Sequence, residues 1–190
     1  MEKEKKTDLR VVKTEAAIHR VFKEMICEMD YEKITVKELT TRAMIDRKTF
    51  YLHYETIDDL LREFQNEIVE SFVSQNVSYK SIADIRRIIR YFFEFAEKMP
   101  EVNERLLCSG SYAAVGEQIN AKIMAYQAER YTGAFSKNIY EDNLVFAYFA
   151  ANTTILYRQW VKDGKVMPIE DLITTATRLV VNGIGSYVKS

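Results

Sequence analysis

Three residues that favour helix N-termini follow one another closely near the start of the chain. They are Thr35, Asp46 and Thr56, and each side-chain oxygen can accept a hydrogen bond from a backbone N–H that the start of a helix leaves unpaired. An acidic residue lies three positions after Thr35 and again three positions after Thr56, as in a capping box. The spacing predicts two short helices, followed by a third, long one.

Two short helices with a turn of about three residues between them form a helix-turn-helix. The residues that would pack such a pair at a steep angle are small or apolar: Leu39, Ala43, Ile45 and Phe50. Before them, apolar residues recur every three or four positions from about residue 8 to residue 28, which predicts an amphipathic helix. The first third of the chain therefore predicts a compact helical unit.

The rest of the chain also predicts helices. It contains only 6 Gly and 2 Pro in 190 residues, and no convincing strand alternation. The predicted helices span about 82–98, 101–108, 112–133, 140–163 and 170–187. The breaks between them hold residues that stop helices: Gly110, Gly133, Gly164 and Pro168. We predict an all-α fold.

Composition excludes several classes of protein. With 47% apolar and 29% charged residues the chain is globular. No apolar run approaches the roughly 18 residues of a membrane helix, and the charged N-terminus lacks the apolar stretch of a signal peptide. Cys27 and Cys108 are far apart in sequence, which predicts reduced, buried thiols. We therefore expect a soluble cytoplasmic protein.

Catalysis is not predicted. The chain has two histidines, His19 and His53, isolated cysteines and no glycine-rich phosphate loop. We expect no enzyme activity, no metal and no cofactor. Charge alone does not indicate a nucleic-acid partner either, because residues 1–55 hold 12 Lys and Arg against 11 Asp and Glu. Any DNA affinity must come from the placement of basic residues.

The segment ITVKELTTRAMIDRKTFYLHYETIDDL, residues 34–60, resembles the DNA-binding signature of the TetR family of bacterial regulators. With the preceding helix, the resemblance covers about residues 10–65. The matching positions are Thr35, Val36, Leu39, Ala43, Ile45, Thr49, Phe50, Tyr51, His53, Tyr54 and Leu60. The resemblance implies a helix-turn-helix DNA-binding domain over 1–55 and a helical regulatory and dimerisation domain over 56–190.

A helix that enters the major groove offers its first side chains to the bases. Arg47 is the best candidate for a bidentate contact with guanine, and Lys37 at the start of the preceding helix can bind a phosphate. The predicted DNA-binding residues are Thr35, Lys37, Arg47, Lys48, Thr49, Tyr51, His53 and Tyr54. A place in the core explains Tyr54 equally well, and an ordinary solvated face explains Lys37 and Lys48.

The chain departs from the family pattern at three positions. Met44 stands where the family usually has a turn glycine, so either the turn differs or Met44 adopts a left-handed backbone at a cost of about 1–2 kcal/mol. Lys48 replaces a residue that is usually small. Ile57 stands where a phosphate-binding lysine is common, which removes one anchor.

The resemblance also implies that the last two helices pair with their twins in a homodimer. Small residues would permit the close approach of these helices: Ala147, Ala150, Ala151 and Gly183. Aromatic residues of the larger domain are candidates for an effector site, with core filling as the alternative. The candidate ligand-binding residues are Phe92, Phe95, Tyr112, Tyr126, Phe149 and Trp160.

Two functions remain open from the sequence. The first is a repressor that binds a palindromic operator as a dimer and that a small-molecule effector releases. The second is an adaptor or co-activator of similar fold that acts through protein contacts, with weak or no DNA binding.

Overall fold

The computed structural model describes residues 9–74, 82–130 and 138–183, and every regular element in these ranges is helical. The α-helices are α1 Leu9–Glu28, α2 Val36–Arg42, α3 Arg47–Tyr51, α4 Ile57–Val73, α5 Ile82–Glu97, α6 Glu101–Cys108, α7 Ala113–Arg130, α8 Ile139–Lys162 and α9 Ile169–Asn182. Short 3-10 helices occupy Tyr31–Lys33 and Gly110–Tyr112. The prediction of an all-α fold is confirmed. None of the described helices is long and apolar enough to cross a membrane.

The helix ends differ from the sequence prediction at two places. α7 begins at Ala113, after the second 3-10 helix. α9 ends at Asn182, because Gly183 has a φ of +69° and caps the helix. The prediction that Gly183 lies inside a helix is therefore wrong, whereas its role in a close helix approach stays a prediction. The predicted break at Gly133 and the predicted helical residues 131–133 and 184–187 lie outside the described residues.

The chain divides into two compact units, residues 1–65 and 66–190, so that the division falls within α4. The domain boundary expected at residues 55 and 56 stays a prediction. In the first unit most of the buried residues come from four helices, and the most enclosed are Ile18, Val21, Phe22, Met25, Ile26, Leu39, Phe50, Leu60 and Phe64. From Ile18 to Ile26 the apolar stripe predicted for the first helix is the face that α1 buries, whereas Val11 and Val12 at its start are exposed.

The second unit has a core shared by α5, α8 and α9. It includes Ile89, Phe93, Ala96, Tyr157, Trp160, Leu172, Ile173 and Ala176. α7 approaches α6 closely at Gly116, where an added Cβ would lie 2.5 Å from the Arg158 Nη2 atom and 3.2 Å from the Leu107 carbonyl oxygen. Arg158 in turn donates from Nε to that same carbonyl, at 2.7 Å. Gly116 is thus required for this packing.

The turn between α2 and α3 contains a strained residue. Met44 has a φ of +55°, in the left-handed region, and its side chain is 93% exposed. Its N–H donates to the Thr41 carbonyl at 3.3 Å, and the next N–H, of Ile45, donates to Thr40 at 3.0 Å. The turn keeps the left-handed conformation that the family usually assigns to glycine, and no packing of the Met44 side chain offsets the strain.

We expect Met44→Gly to stabilise the protein. Relief of about 1–2 kcal/mol of backbone strain exceeds the roughly 0.5–1 kcal/mol by which glycine favours the unfolded chain. The net gain should therefore be about 0.5–1 kcal/mol, measured by urea unfolding. Met44→Ala is the matched control, because it removes the same exposed side chain but keeps the Cβ. Equal stabilities of the two variants would contradict the account.

Candidate DNA-binding surface and cavity

Side chains cap the two short helices as the sequence predicts. The Thr35 hydroxyl accepts a hydrogen bond from the Glu38 N–H at 3.2 Å. Asp46 accepts one from the Thr49 N–H at 2.7 Å and a second from the Thr49 hydroxyl at 3.0 Å. These bonds, with Lys48 nearby, hold the pKa of Asp46 below its usual range. The cap therefore stays charged near neutral pH and fixes the start of α3.

The basic residues of the first unit fall into two groups. One group is held in ion pairs: Arg20 with Glu24, Lys33 with Asp30, Arg42 with Glu28 and Glu38, and Arg62 with Asp59. By contrast Lys37, Arg47 and Lys48 are exposed and make no ion pair with any residue in the described ranges. Lys13 on α1 is also exposed and makes no ion pair with a described residue. The helix-turn-helix thus carries free positive charge.

Three aromatic or imidazole side chains follow at the end of α3, in different surroundings. Tyr51 is 54% exposed and meets Phe50 edge to face. His53 is half-buried. Tyr54 is 8% exposed, and its hydroxyl donates to Glu63 at 2.8 Å and lies 2.7 Å from His19 Nε2. Tyr54 therefore joins α4 to α1 inside the unit, which agrees with the alternative that it is a core residue. It is not part of the proposed DNA surface.

The described residues that could hold a metal ion are Glu15, His19 and Glu63. Their ligand atoms lie within 4.8 Å of one another, and His19 Nε2 is 3.5 Å from Glu63 Oε1. A metal at Nε2 would have to break the hydrogen bond to Tyr54. The arrangement serves as a polar bridge between α1 and α4. Spacing in the sequence does not reveal this bridge, since its members come from distant positions.

The second unit contains two adjoining cavities with about 430 and 410 Å³ of empty space, including their openings to solvent. Both cavities are lined by Phe72, Phe92, Asn120, Ile123 and Thr154. Among the predicted ligand-binding residues, Phe92 lines both, Phe95 lines one and Phe149 lines the other. The structure therefore brings three of the six candidates to one place.

The other three candidates do not line either cavity. Tyr112 is fully buried in the core. The Tyr126 hydroxyl accepts a hydrogen bond from Arg130 at 2.9 Å, and Trp160 donates from Nε1 to the Met167 carbonyl at 2.8 Å. Tyr112 and Trp160 are core residues, which is the alternative that the sequence left open, whereas Tyr126 is half-buried beside Arg130.

No charged side chain is found among the described residues that line the two cavities. Their polar lining consists of Asn120, Gln127, Thr153, Thr154 and Tyr157. The Tyr157 hydroxyl donates to Glu104, which is not part of the lining, at 3.0 Å. Burial of Tyr157, and to a smaller extent this carboxylate, raises the pKa of the tyrosine far above its usual value. The cavities are therefore apolar, with a few neutral hydrogen-bonding groups.

A row of exposed residues runs along α8, and we call it the α8 stripe. It consists of Tyr140, Leu144, Tyr148, Ala151 and Ile155. Steps of three or four residues place them on one helix face, and none is charged. Of the small residues expected at a helix contact, Ala151 lies in this stripe, whereas Ala150 lines a cavity and faces inward.

Cys27 and Cys108 are not joined by a disulfide, and both are half-buried where buried thiols were expected. Burial, with a smaller contribution from Glu104, raises the pKa of the Cys108 thiol to about 11.

Comparison with solved structures identifies the fold. A TetR transcriptional regulator from Streptococcus agalactiae 2603V superposes with a TM-score of 0.64 at 24% identity, over 91% of this chain and 96% of that one. The chain has the fold of the TetR-family regulators. NalD of Pseudomonas aeruginosa, the secondary repressor of the MexAB-OprM multidrug efflux pump, shares the TetR fold with a TM-score of 0.69, at 14% identity over 92% of this chain and 96% of its own.

A third solved structure with the TetR fold is the transcriptional regulator FadR from Bacillus subtilis in complex with stearoyl-CoA. Its TM-score is 0.61 at 17% identity, over 90% of this chain and 99% of that one. In sequence, the uncharacterized HTH-type transcriptional regulator YxbF of Bacillus subtilis (strain 168) is 42% identical over 62 residues, which cover 32% of this chain but 16% of that protein. No protein-family model matches the sequence.

Proposed function

We propose that this protein is a TetR-like transcriptional repressor that binds a palindromic DNA operator as a homodimer and is released by a small, uncharged effector. The observation that carries the proposal is the set of exposed, unpaired cations on the helix-turn-helix, Lys37, Arg47 and Lys48. Because the proposed operator is bacterial chromosomal DNA, the proposal also implies that the protein acts in the cytoplasm. The similar proteins named above are all regulators of transcription, which supports this class over an enzyme.

Unpaired charge matters because DNA binding exchanges counterions for protein cations. A cation that already holds a carboxylate must break that pair to bind a phosphate, whereas Arg47 and Lys48 have no such pair to break. The Asp46 cap fixes the start of α3, so the backbone from which Arg47 and Lys48 extend is held in place. Lys37 and the exposed Thr35 begin α2, where the positive end of the helix dipole favours phosphate. We assign contact with a DNA base to Arg47, and contact with the DNA phosphates to Thr35, Lys37, Tyr51 and His53.

The α8 stripe supports a homodimer. Exposed large apolar side chains in one row are costly in water and are typical of an interface. Tyr140 is 75% exposed, Leu144 71% and Ile155 62%. An uncharged row along a straight helix is self-complementary, because a two-fold axis lays it antiparallel against its own copy. A palindromic operator requires the same two-fold symmetry.

The apolar cavities support a neutral effector. A charged ligand would lose its hydration there without gaining an opposite charge from the described lining. An apolar molecule with one hydroxyl or carbonyl group could bond to Asn120 or Thr153. FadR was solved with stearoyl-CoA, so a protein of this fold binds a ligand with an apolar chain. Effector binding would favour a dimer geometry that no longer matches successive major grooves, which is a shift between two populations.

A second candidate function is an adaptor that acts through protein contacts. It is favoured by the net charge of −1 and by Ile57, which is half-buried at the start of α4 in place of a phosphate-binding lysine. The DNA-binding measurement separates the two functions.

We expect the purified protein to bind its own upstream DNA more tightly than scrambled DNA, with affinity that falls steeply as salt increases. Arg47→Ala should weaken specific binding by about 1–3 kcal/mol, or roughly 5- to 160-fold. Tyr51→Phe should weaken binding to all sequences. The control is Arg20→Ala, which removes an exposed but paired cation on α1. Failure with upstream DNA and also in a selection from genomic fragments would favour the adaptor.

We expect Leu144→Lys to convert the dimer into a monomer, because it places a charge from each protomer in the otherwise uncharged α8 stripe. Light scattering coupled to size exclusion measures the mass directly. Asn143→Lys is the matched control, since residue 143 is exposed on the same helix but off the stripe. A Leu144→Lys protein that remains dimeric would place the interface elsewhere.

We expect octanol to raise the melting temperature and weaken DNA binding more than octylamine or octanoic acid, which carry the same chain with a charge. Ala150→Phe should abolish the octanol effect by filling the cavity, while Ala121→Phe, at an exposed position on α7, should preserve it. A stronger response to either charged probe would refute the neutral-ligand assignment.

A further inference from the structure

The exposed side of α3 carries an apolar residue that the predicted DNA-binding set omits. Leu52 directly follows the last residue of the helix and keeps helical angles, with φ −76° and ψ −20°. Its N–H donates to the Lys48 carbonyl at 3.1 Å, so it continues the helical turn. Its side chain is nevertheless 77% exposed. Packing within the unit does not explain a leucine at this position.

Helical geometry shows where Leu52 points. The buried side of this segment is set by Phe50, which is fully buried, and Tyr54, at 8% exposure. These residues lie two positions before and two positions after Leu52. Since successive residues turn by about 100°, Leu52 points directly away from the buried side. Lys48, one turn earlier, lies on the same outward face.

We propose that Leu52 reads thymine by packing against the 5-methyl group in the major groove. The inference rests on the proposed DNA-binding function. Thymine is the base that presents a methyl group in this groove, and the other base edges present donors and acceptors that an isobutyl side chain would leave unpaired. Lys48, on the same outward face, supplies positive charge that holds this face against DNA. Leu52 therefore adds base specificity to a surface whose affinity is electrostatic.

The test begins with an operator that the wild-type protein selects from a random-sequence DNA pool. Each thymine of that operator is then replaced by deoxyuridine, which removes the methyl group and keeps the base-pairing edge. We expect a loss of about three- to ten-fold in wild-type affinity at one thymine in each half-site. On the thymine operator, Leu52→Ala should bind three- to ten-fold more weakly than the wild type. On the uracil operator, Leu52→Ala and the wild type should bind equally, so that the side-chain change and the methyl removal are coupled.

Two controls separate this contact from other causes. Leu52→Ala should leave the melting temperature unchanged, because the side chain is exposed. Val166→Ala, which trims an apolar side chain 83% exposed in the second unit, should leave both affinities unchanged.

Several results would overturn the proposal. Equal losses for Leu52→Ala on thymine and uracil operators would show that Leu52 acts without the methyl group. If Leu52→Ala binds the operator selected by the wild type with unchanged affinity, Leu52 does not contact the DNA. That result would be expected if Leu52 instead contacted a protein partner. If the wild type selects no sequence, the proposed DNA-binding function itself fails and this inference falls with it.

Discussion

A helix of five residues has almost no stability of its own, so α3 depends on how its two ends are held. Asp46 caps the first turn with two hydrogen bonds, and Phe50 is fully buried in the first unit. With one side fixed in this way, the opposite side of α3 faces outward. The exposure of Lys48 and Leu52 follows from that single anchored orientation.

The distribution of charge explains how a chain with a net charge of −1 can carry a basic surface. Counting residues 1–55 gives nearly balanced charge, and the count has no information about pairing. In the structure the acids of the unit lie next to particular cations, such as Glu28 and Glu38 with Arg42. Neutralisation of those cations leaves the positive charge of the helix-turn-helix unopposed. The property that matters is which charges remain unpaired, and it depends on the fold.

Local signals in the sequence predicted most of the fold. Thr35 and Asp46 act as caps, and helix bounds across the described ranges agree with the predicted ones to within a few residues, because capping and apolar periodicity are local properties. Met44 takes one of the two conformations that were anticipated. Gly183 was misjudged, since a glycine near a helix end can belong to the helix or cap it.

The candidate sites were harder to predict because they combine distant residues. The bridge of His19, Tyr54 and Glu63 joins three separate segments. The cavities are lined mostly by aliphatic and small polar residues such as Ile123 and Asn120, which composition does not distinguish from ordinary core. Aromatic character identified Phe92 as lining but equally selected Trp160, whose indole is used in packing. Contact between helices, and not residue type, decides these roles.

The close packing at Gly116 limits how the sequence can diverge. The Arg158 guanidinium occupies the space that a side chain at residue 116 would need, and its bond to the Leu107 carbonyl holds it there. A larger residue at 116 would have to displace that guanidinium, and a smaller residue at 158 would make the space available. Descendants of this chain should therefore inherit or exchange the two residues as a pair, although they lie far apart in the sequence and on different helices.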